Sequence, residues 1–374
     1  MLLVMRAPRI DLFEWLLQNA PNATYNLAFS NIYGLTVEEY QKYTDFTLPK
    51  NFDLGSNAQY GAHELKETLS VMYNCTPDNI VTTTGASEAN FLVFSSLLSQ
   101  GDEFIIEQPG YQPMWLTPEM LGARRINWPR KFENKFRVDS ETLKSLITEK
   151  TKLVVLTNLH NPSGVLTNQQ TIKTIAEIAK EHGAYVLVDE IFLDGSYSKK
   201  PSCFGIPNVL VTSSATKIYG LGGPHTGWII APEGIAVQCQ RMKAHTTGAS
   251  SSISEIMTAH LLKNARDGVI KRFQKHATTN RVVVKKWMTQ HKDLLKWVEP
   301  DGGIVCFPKY SLNVPSVVLC KHLFEAQKIL VNPGAYFNSE GFIRLSFGGD
   351  KETLQSGLEA LTNGLQDVHR NHHS

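Results

Sequence analysis

Short apolar runs alternate with amphipathic segments between about residue 60 and residue 215. Runs such as Lys152–Leu156 and Tyr185–Val188 are apolar at nearly every position, as expected for strands that are covered on both faces. Between such runs lie segments with helical spacing, as in Gly61–Asn74, where Leu65 and Leu69 fall on one face. This pattern predicts an α/β fold in which a mostly parallel sheet lies between helices.

The alternation divides this region into predicted elements of ordinary length. The strands are Ile80–Thr83, Glu103–Glu107, Arg125–Trp128, Lys152–Leu156, Tyr185–Val188 and Val209–Thr212. The helices are Gly61–Asn74, Ala86–Leu98, Gln112–Leu121, Ser140–Glu149 and Asn168–His182.

The pattern changes after residue 265. Arg266–His291 is predicted to be one long, highly charged helix, and shorter strands and helices follow it. We therefore predict a large domain of residues 46–270. A smaller α+β domain would be built from both ends of the chain, residues 1–45 and 271–374.

Composition narrows the possible partners and the cellular compartment. The 374 residues are 42% hydrophobic and 19% charged, with a formal net charge of +2, and basic residues are scattered rather than grouped. This distribution does not indicate a nucleic-acid-binding surface. The five cysteines are widely spaced and form no Cys-x-x-Cys motif, which favours reduced thiols in a cytoplasmic protein without a zinc site. No apolar run is long enough to span a bilayer, so we expect no membrane partner.

Polar residues follow several predicted strands at their carboxyl ends, where parallel sheets bind ligands. Thr84-Gly-Ala-Ser-Glu-Ala89 opens a helix, whose free N–H groups are suited to a phosphate. Gln108-Pro-Gly-Tyr111 adds an aromatic ring and Leu159-His-Asn-Pro-Ser-Gly164 adds an amide. Asp189 ends an apolar strand, and Lys217 stands in a loop of small residues after the next one.

Each of these features has an ordinary structural explanation when it is taken alone. The helix start can be simple capping, the tyrosine a core residue, the Asn-Pro segment a tight turn and the lysine a solvated side chain. A carboxylate at the buried end of a strand is costly, however, unless a cation or a donor meets it. The convergence of phosphate donors, an aromatic ring, an amide, a carboxylate and a lysine on one sheet edge therefore favours a ligand site.

The order and spacing of these motifs resemble the pyridoxal-phosphate enzymes of the aspartate aminotransferase type (fold type I, class I and II). The resemblance extends over about residues 55–350, and Asp189 lies as far from Asn161 as Lys217 lies from Asp189. The motifs that carry it are Asn161-Pro-Ser-Gly164, Asp189-Glu190, Ser214-Ala-Thr-Lys217 and Ile343-Arg-Leu-Ser346.

The resemblance implies catalytic roles around pyridoxal 5'-phosphate. Lys217 would form a Schiff base with the coenzyme and move the Cα proton of the substrate. Asp189 would pair with the pyridine nitrogen and keep it protonated. Asn161 would donate a hydrogen bond to the 3-oxygen of the ring, and Tyr111 would stack on the ring.

The resemblance also implies binding sites for the coenzyme phosphate and for the substrate. The backbone N–H groups of Ala86 and Ser87 would bind the phosphate, together with the hydroxyls of Ser87 and Ser214. Arg344 would bind the substrate α-carboxylate in a bidentate pair, which suits the planar guanidinium group, and Asn161 would be a second substrate-binding residue.

Three positions depart from the family pattern. His225, a weaker and titratable cation, stands where the family has an arginine that binds the phosphate. Phe192 replaces a tyrosine that bonds the ring oxygen, and Ser56 replaces a tyrosine that reaches the neighbouring subunit's phosphate. Tyr60 is a nearby substitute for that last residue. These departures would leave coenzyme binding as a class in place and make this chain a divergent member of the family.

Three functions fit the sequence. The first is an aminotransferase that moves an amino group between an α-amino acid and a 2-oxo acid. The second is a C–S lyase, a decarboxylase or a related synthase of the same fold. The third is a non-catalytic protein on this scaffold, against which the retention of Lys217 and Arg344 argues.

The resemblance implies a homodimer. The sequence shows no second cation for an acidic substrate, while Ile32, Tyr33 and Trp115 are candidates either for an apolar pocket or for ordinary packing.

Overall fold

The structure, a computed structural model, describes residues 7–55 and 58–371. Within these residues no helix combines the length and the apolar character that crossing a bilayer requires. The α-helices are α1 (Asp11–Asn19), α2 (Val37–Thr44), α3 (His63–Tyr73), α4 (Gly85–Leu97), α5 (Pro113–Met120), α6 (Ser140–Leu146), α7 (Gln169–Glu181), α8 (Glu233–Lys243), α9 (Ser252–Asn264), α10 (Arg266–Gln290), α11 (Ser316–Gln327) and α12 (Lys351–Asn371).

In the described part of the chain, the strands form one large sheet and three small ones. Each of the six strands predicted from apolar runs is present in the large sheet. The strands are β1 (Tyr25–Asn26), β2 (Ile80–Thr84), β3 (Glu103–Gln108), β4 (Arg124–Pro129), β5 (Thr151–Thr157), β6 (Tyr185–Asp189), β7 (Val209–Ser214), β8 (Thr226–Ile230), β9 (Leu295–Lys296), β10 (Val305–Cys306), β11 (Lys309–Tyr310), β12 (Ile329–Leu330), β13 (Asn332–Pro333) and β14 (Ile343–Ser346).

The large sheet has seven strands in the order β2-β8-β7-β6-β5-β3-β4. Strand β8 is antiparallel to both of its neighbours, and the other pairs are parallel. The predicted α/β fold with a mostly parallel sheet is therefore confirmed. Strand β8 is the one member of the sheet that the apolar pattern did not predict.

Both faces of the sheet are covered at its centre, which explains why strands such as β5 and β6 are apolar at most positions. In β5, Leu153 and Val155 pack into an apolar core on the α4 side. Val154 and Leu156 pack into the core on the α7 side. Alternate side chains thus enter different cores, as the two-residue period of a strand requires.

The two ends of the chain meet in the small sheets. Tyr25 of β1 is in register with Ile329 of β12, and the two strands are parallel. The indole Nε1 of Trp15 in α1 donates a hydrogen bond of 2.9 Å to the carbonyl oxygen of Val331. The core on the α7 side of the large sheet continues into this region. The division into residues 46–270 and the two chain ends remains a prediction.

Candidate active site

A cavity of about 680 Å³ lies at the carboxyl ends of the parallel strands. Thr157 and Asp189, the last residues of β5 and β6, both line it. The cavity also brings together most of the residues that the sequence singled out. Those lining it are Ala86, Ser87, Tyr111, Asn161, Asp189, Lys217, His225 and Arg344.

Asp189 is a buried carboxylate with two hydrogen-bond donors. Its Oδ2 accepts a bond of 2.8 Å from Asn90 Nδ2, and its Oδ1 accepts a bond of 3.0 Å from the backbone N–H of Ile191. Thr212 Oγ1 donates to Asn90 Oδ1 at 2.7 Å and so fixes the orientation of that amide. Burial raises the pKa of Asp189 to about 6, against the opposing effect of the Asn90 bond. A cation within the cavity would relieve the cost of this buried charge.

Lys217 follows β7 and is partly buried. Its Nζ donates a hydrogen bond of 3.4 Å to Ser30 Oγ. Burial and, to a smaller extent, the positive charge of Arg344 lower the pKa of Lys217 to about 8, while Asp189 opposes the shift. With such a pKa, roughly a tenth of the amine is neutral at pH 7. Lys217 can therefore act as a nucleophile and as a base, unlike an ordinary solvated lysine.

Arg344 in β14 is a buried cation with no carboxylate partner among residues 7–55 and 58–371. Its Nη1 donates to Asn161 Oδ1 at 3.1 Å and its Nη2 donates to the carbonyl oxygen of Ala28 at 2.9 Å. Its Nε is buried without a hydrogen-bond partner in the described part of the chain. The guanidinium lies 4.9 Å from the ring centre of Phe337. An unpaired buried cation with a free donor is suited to an anionic ligand.

The start of helix α4 forms another side of the cavity. Gly85 has φ +74°, and a Cβ atom at this position would collide with the imidazole ring of His225. A Cβ atom at Gly227 would in turn collide with the backbone of Gly85. The two glycines therefore allow His225 to pack directly against the first turn of α4, next to Ala86 and Ser87.

Ser214 occupies a different position from the other predicted residues. It is buried, and its Oγ donates to Thr216 Oγ1 at 3.0 Å and accepts a bond of 3.1 Å from the Thr216 N–H. Thr216 lines the cavity, whereas Ser214 is not among the lining residues. The phosphate-binding role of Ser214 stays a prediction, and Thr216 is an additional hydroxyl at this site.

The residues that depart from the family pattern, and those suggested for an apolar pocket, can be compared with the lining of the cavity. Phe192 lines the cavity and is buried, and its ring offers no hydroxyl. Tyr60 is 64% exposed and does not line the cavity of this chain. Ser56 lies outside the described residues. Ile32, Tyr33 and Trp115 are absent from the lining, so an apolar pocket at this site involves other residues.

A buried ion pair supports the side of the cavity that holds Asn161. Arg130 Nη1 lies 2.6 Å from Glu107 Oε2, and both side chains are fully buried. Glu107 Oε1 accepts hydrogen bonds from the N–H and the Oγ1 of Thr157, at 2.7 and 2.6 Å. Thr157 Oγ1 in turn accepts a bond of 2.9 Å from the Asn161 N–H. The pair is thus connected through Thr157 and Asn161 to Arg344.

The residues of this site that were missed from the sequence include Asn90, Glu107 and Thr216. Glu107 had a usable signal, because it is a carboxylate at the end of an apolar strand, as Asp189 is. Asn90 follows Ala86 by one helical turn on a helix whose neighbouring positions are apolar. Nothing in the local sequence of Thr216 distinguishes it from Ser214.

Comparison with known proteins identifies the family. Residues 50–361 match the model for aminotransferase class I and II. Capreomycidine synthase from Streptomyces vinaceus is 26% identical over 366 residues, which cover 96% of this chain and 94% of that protein. Aspartate aminotransferase from Pyrococcus horikoshii is 26% identical over 321 residues, or 82% of each chain.

The solved structures agree with this result. A PLP-dependent aminotransferase from Streptococcus suis superimposes with a TM-score of 0.91 at 28% identity, covering 97% of this chain and 99% of that one. The resemblance inferred from the motifs is therefore confirmed. Since the family match extends over most of its length, this chain belongs to the class I and II aminotransferase family and has the fold of the aspartate aminotransferase type.

Proposed function

We propose that the protein transfers an amino group from an α-amino acid to a 2-oxo acid, with Lys217 as the residue that binds pyridoxal phosphate and moves the proton. The observation that carries this proposal is the meeting of three groups in one cavity. They are an amine with a lowered pKa (Lys217), a buried carboxylate (Asp189) and a buried cation (Arg344) that has no carboxylate partner in the part of the chain that the structure describes.

The residues of the cavity fit pyridoxal phosphate, the coenzyme that membership in this family implies. Its aldehyde matches the amine of Lys217, its pyridinium matches the buried carboxylate of Asp189, and its phosphate matches the first turn of α4 beside His225. When bound, the coenzyme supplies an electron-accepting ring that stabilises negative charge at the substrate Cα.

Each residue then has a physical task. Lys217 Nζ would take the proton from the substrate Cα and deliver it again, for which a pKa near 8 is well suited. Arg344 would hold the α-carboxylate through its unpaired Nε and a second nitrogen, and so orient the Cα–H bond. Asp189, held in place by Asn90, would keep the pyridine nitrogen protonated. Asn161 and Tyr111 would bind the ring oxygen and the ring face.

Chemical trapping and product analysis test this function together. The purified protein, saturated with pyridoxal phosphate, is reduced with borohydride and digested, and the peptides are mapped. The reduced coenzyme should be found on the peptide that contains Lys217. A parallel sample mixed with amino acids should release the matching 2-oxo acid in an amount equal to the coenzyme converted. Labelling of a different lysine would refute the assignment of Lys217.

A synthase of the same fold is the second candidate. It is supported by the match to capreomycidine synthase over 96% of this chain. The same product analysis separates the two candidates, because a lyase, decarboxylase or synthase would not convert the amino donor into its 2-oxo acid. Release of ammonia or carbon dioxide, or a cyclised product without oxo acid, would favour this second candidate.

His225 is proposed to contact the coenzyme phosphate, which leads to a test on affinity. His225→Arg should tighten coenzyme binding, because a guanidinium stays charged and can bind two phosphate oxygens. His225→Ala should weaken binding by roughly ten-fold, the loss expected for one charged hydrogen bond. Equilibrium dialysis measures both, with His245→Arg, an exposed histidine outside the cavity, as the control. Equal affinities in all of these proteins would mean that His225 does not touch the phosphate.

We also propose that the protein is a homodimer, as the family resemblance implies. The stretch around α3 exposes several large apolar side chains, with Leu54 at 78%, Tyr60 at 64% and Val71 at 85%. Exposed apolar residues concentrated in one region are typical of an association surface. Light scattering of the active protein measures its mass, and full activity in a monomer would contradict this proposal.

A further inference from the structure

One wall of the cavity is apolar and comes from the N-terminal part of the chain. Leu12, Phe13, Leu16 and Leu17 of α1 line it together with Phe29. Phe13, Leu17 and Phe29 are 38%, 76% and 43% exposed. Exposed apolar surface in a concave site is covered favourably by an apolar ligand, because water is released.

This wall lies next to the groups that would hold the substrate. Phe29 stands between Ala28, whose carbonyl oxygen accepts a bond of 2.9 Å from Arg344, and Ser30, whose Oγ accepts a bond of 3.4 Å from Lys217. A substrate with its carboxylate at Arg344 and its Cα at Lys217 therefore has Phe29 beside it. Because Phe29 lines the same cavity as Lys217 and Arg344, we expect the side chain of the substrate to extend toward this wall.

Helix α1 is held in place, so the wall is a fixed part of the cavity. The Leu12 N–H donates to Gln112 Oε1 at 2.9 Å, and Trp15 Nε1 donates to the carbonyl oxygen of Val331 at 2.9 Å. The ring centre of Phe13 lies 6.3 Å from that of Tyr111 in an edge-on arrangement. The wall thus contacts the aromatic residue that is proposed to stack on the coenzyme.

The charges of the cavity point to the same kind of ligand. Among its lining residues in the described part of the chain, the basic ones are Lys217, His225 and Arg344. Each of the three already has a proposed partner in the coenzyme or in the α-carboxylate. Among the described lining residues, no further cation is left for a second carboxylate on the substrate, which would lose its hydration against the α1 wall.

We propose that this enzyme selects amino acids with a large apolar or aromatic side chain, and that Phe13, Leu17 and Phe29 determine this specificity. The inference rests on the proposed function, because Lys217 and Arg344 set the orientation of the substrate. The specificity inference concerns only the end of the cavity that receives the substrate side chain, so it can be wrong while the proposed function is right.

Binding of unreactive carboxylates tests the proposal without turnover. Calorimetry on the coenzyme-loaded protein compares 3-phenylpropanoate, which has one carboxylate and a phenyl ring, with succinate, which has two carboxylates. The phenyl compound should bind roughly ten- to hundred-fold more tightly, the range expected for burying an aromatic side chain. Equal or tighter binding of succinate would overturn the proposal.

Turnover of amino acids separates this proposal from the proposed function. The ratio of kcat/KM for phenylalanine to kcat/KM for aspartate should be well above one. Efficient transamination of aspartate with a ratio below one would overturn the specificity and leave the proposed function intact. Absence of transamination with every amino acid would refute the proposed function instead.

Two variants test whether the α1 wall determines the substrate specificity. Leu17→Arg adds a cation at an exposed position and should shift the phenylalanine-to-aspartate ratio at least about ten-fold toward aspartate. Val282→Arg makes the same change on α10, at a side chain that is 62% exposed and outside the cavity, and should leave the ratio unchanged. If Leu17→Arg leaves the ratio unchanged, another part of the dimer covers α1 and the proposal is wrong.

Phe29→Ala gives a size-dependent test. It should lower kcat/KM for phenylalanine by roughly ten-fold and leave kcat/KM for alanine within about two-fold, because alanine is too short to reach the removed ring. An equal loss for both substrates would mean that Phe29 positions Lys217 and Arg344 rather than the side chain of the substrate, and would remove it from the specificity wall.

Discussion

Replacing Lys217 with methionine should abolish transamination and, in the same protein, raise the free energy of unfolding of the coenzyme-free form. Activity should fall by roughly 10⁴-fold or more, because the covalent attachment and the proton transfer proposed for Lys217 would both be lost. Stability should rise by about 2 kcal/mol at pH 7. This follows from the lowering of the Lys217 pKa from 10.5 to about 8, at 1.36 kcal/mol per unit and reduced for partial exposure.

The stability gain of Lys217→Met should be largest at low pH and should decrease as the pH rises. The unfolded chain binds the lysine proton more tightly than the folded protein, so the charged amine opposes folding fully below pH 8. This opposition fades as the pH rises through 8 and is lost above about 10.5, where the amine is neutral in both states. Urea denaturation at pH 7 and pH 10 measures the change. Lys199→Ala, an exposed lysine, is the control, and an equal gain at both pH values would contradict this origin.

Breaking the buried Arg130–Glu107 pair should give the largest loss of stability. Arg130→Met leaves the Glu107 carboxylate buried without its cation, which costs about 3–5 kcal/mol. The same change loosens the support of Thr157, and we expect weaker binding of carboxylate ligands as a second effect. Urea denaturation measures the first effect, and calorimetry with 3-phenylpropanoate measures the second.

Two further proteins show whether the unpaired charge is responsible. The double variant Glu107→Gln with Arg130→Met removes the charge and keeps an oxygen acceptor for Thr157, so it should recover most of the lost stability. Lys285→Met breaks an exposed pair with Glu299 and should change stability by less than about 1 kcal/mol. A double variant no more stable than Arg130→Met alone would point to lost packing of the arginine stem.

Most of the central sheet could be predicted because strands such as β5 and β6 are buried on both faces, and such burial requires apolar residues at most positions. Strand β8 was not predicted because it begins with Thr226 and Gly227 in a glycine-rich stretch, and glycine usually indicates a loop or a bulge. The structure gives the reason for this glycine. The backbone of Gly85 lies so close that no side chain fits.

The candidate site was predictable where its residues follow strands, as Asp189 and Lys217 do. Residues that support these groups were harder to find, because their partners are distant in the sequence. Asn90 is 99 positions from Asp189, and Glu107 is 50 positions from Thr157. The apolar wall of α1 was missed for the same reason, since helical spacing predicts an apolar face but not the surface that it meets.

The joining of the two chain ends also has a consequence for biosynthesis. Ala28 accepts its hydrogen bond from an arginine 316 positions further along the chain. At about 5–20 residues per second, the ribosome needs roughly 16 to 60 seconds to make the intervening polypeptide. Throughout this interval the apolar face of α1 has no native partner near the C-terminus and is open to chaperones. Helix α1 therefore reaches its final place late, and the cavity is completed only after Arg344 has been made.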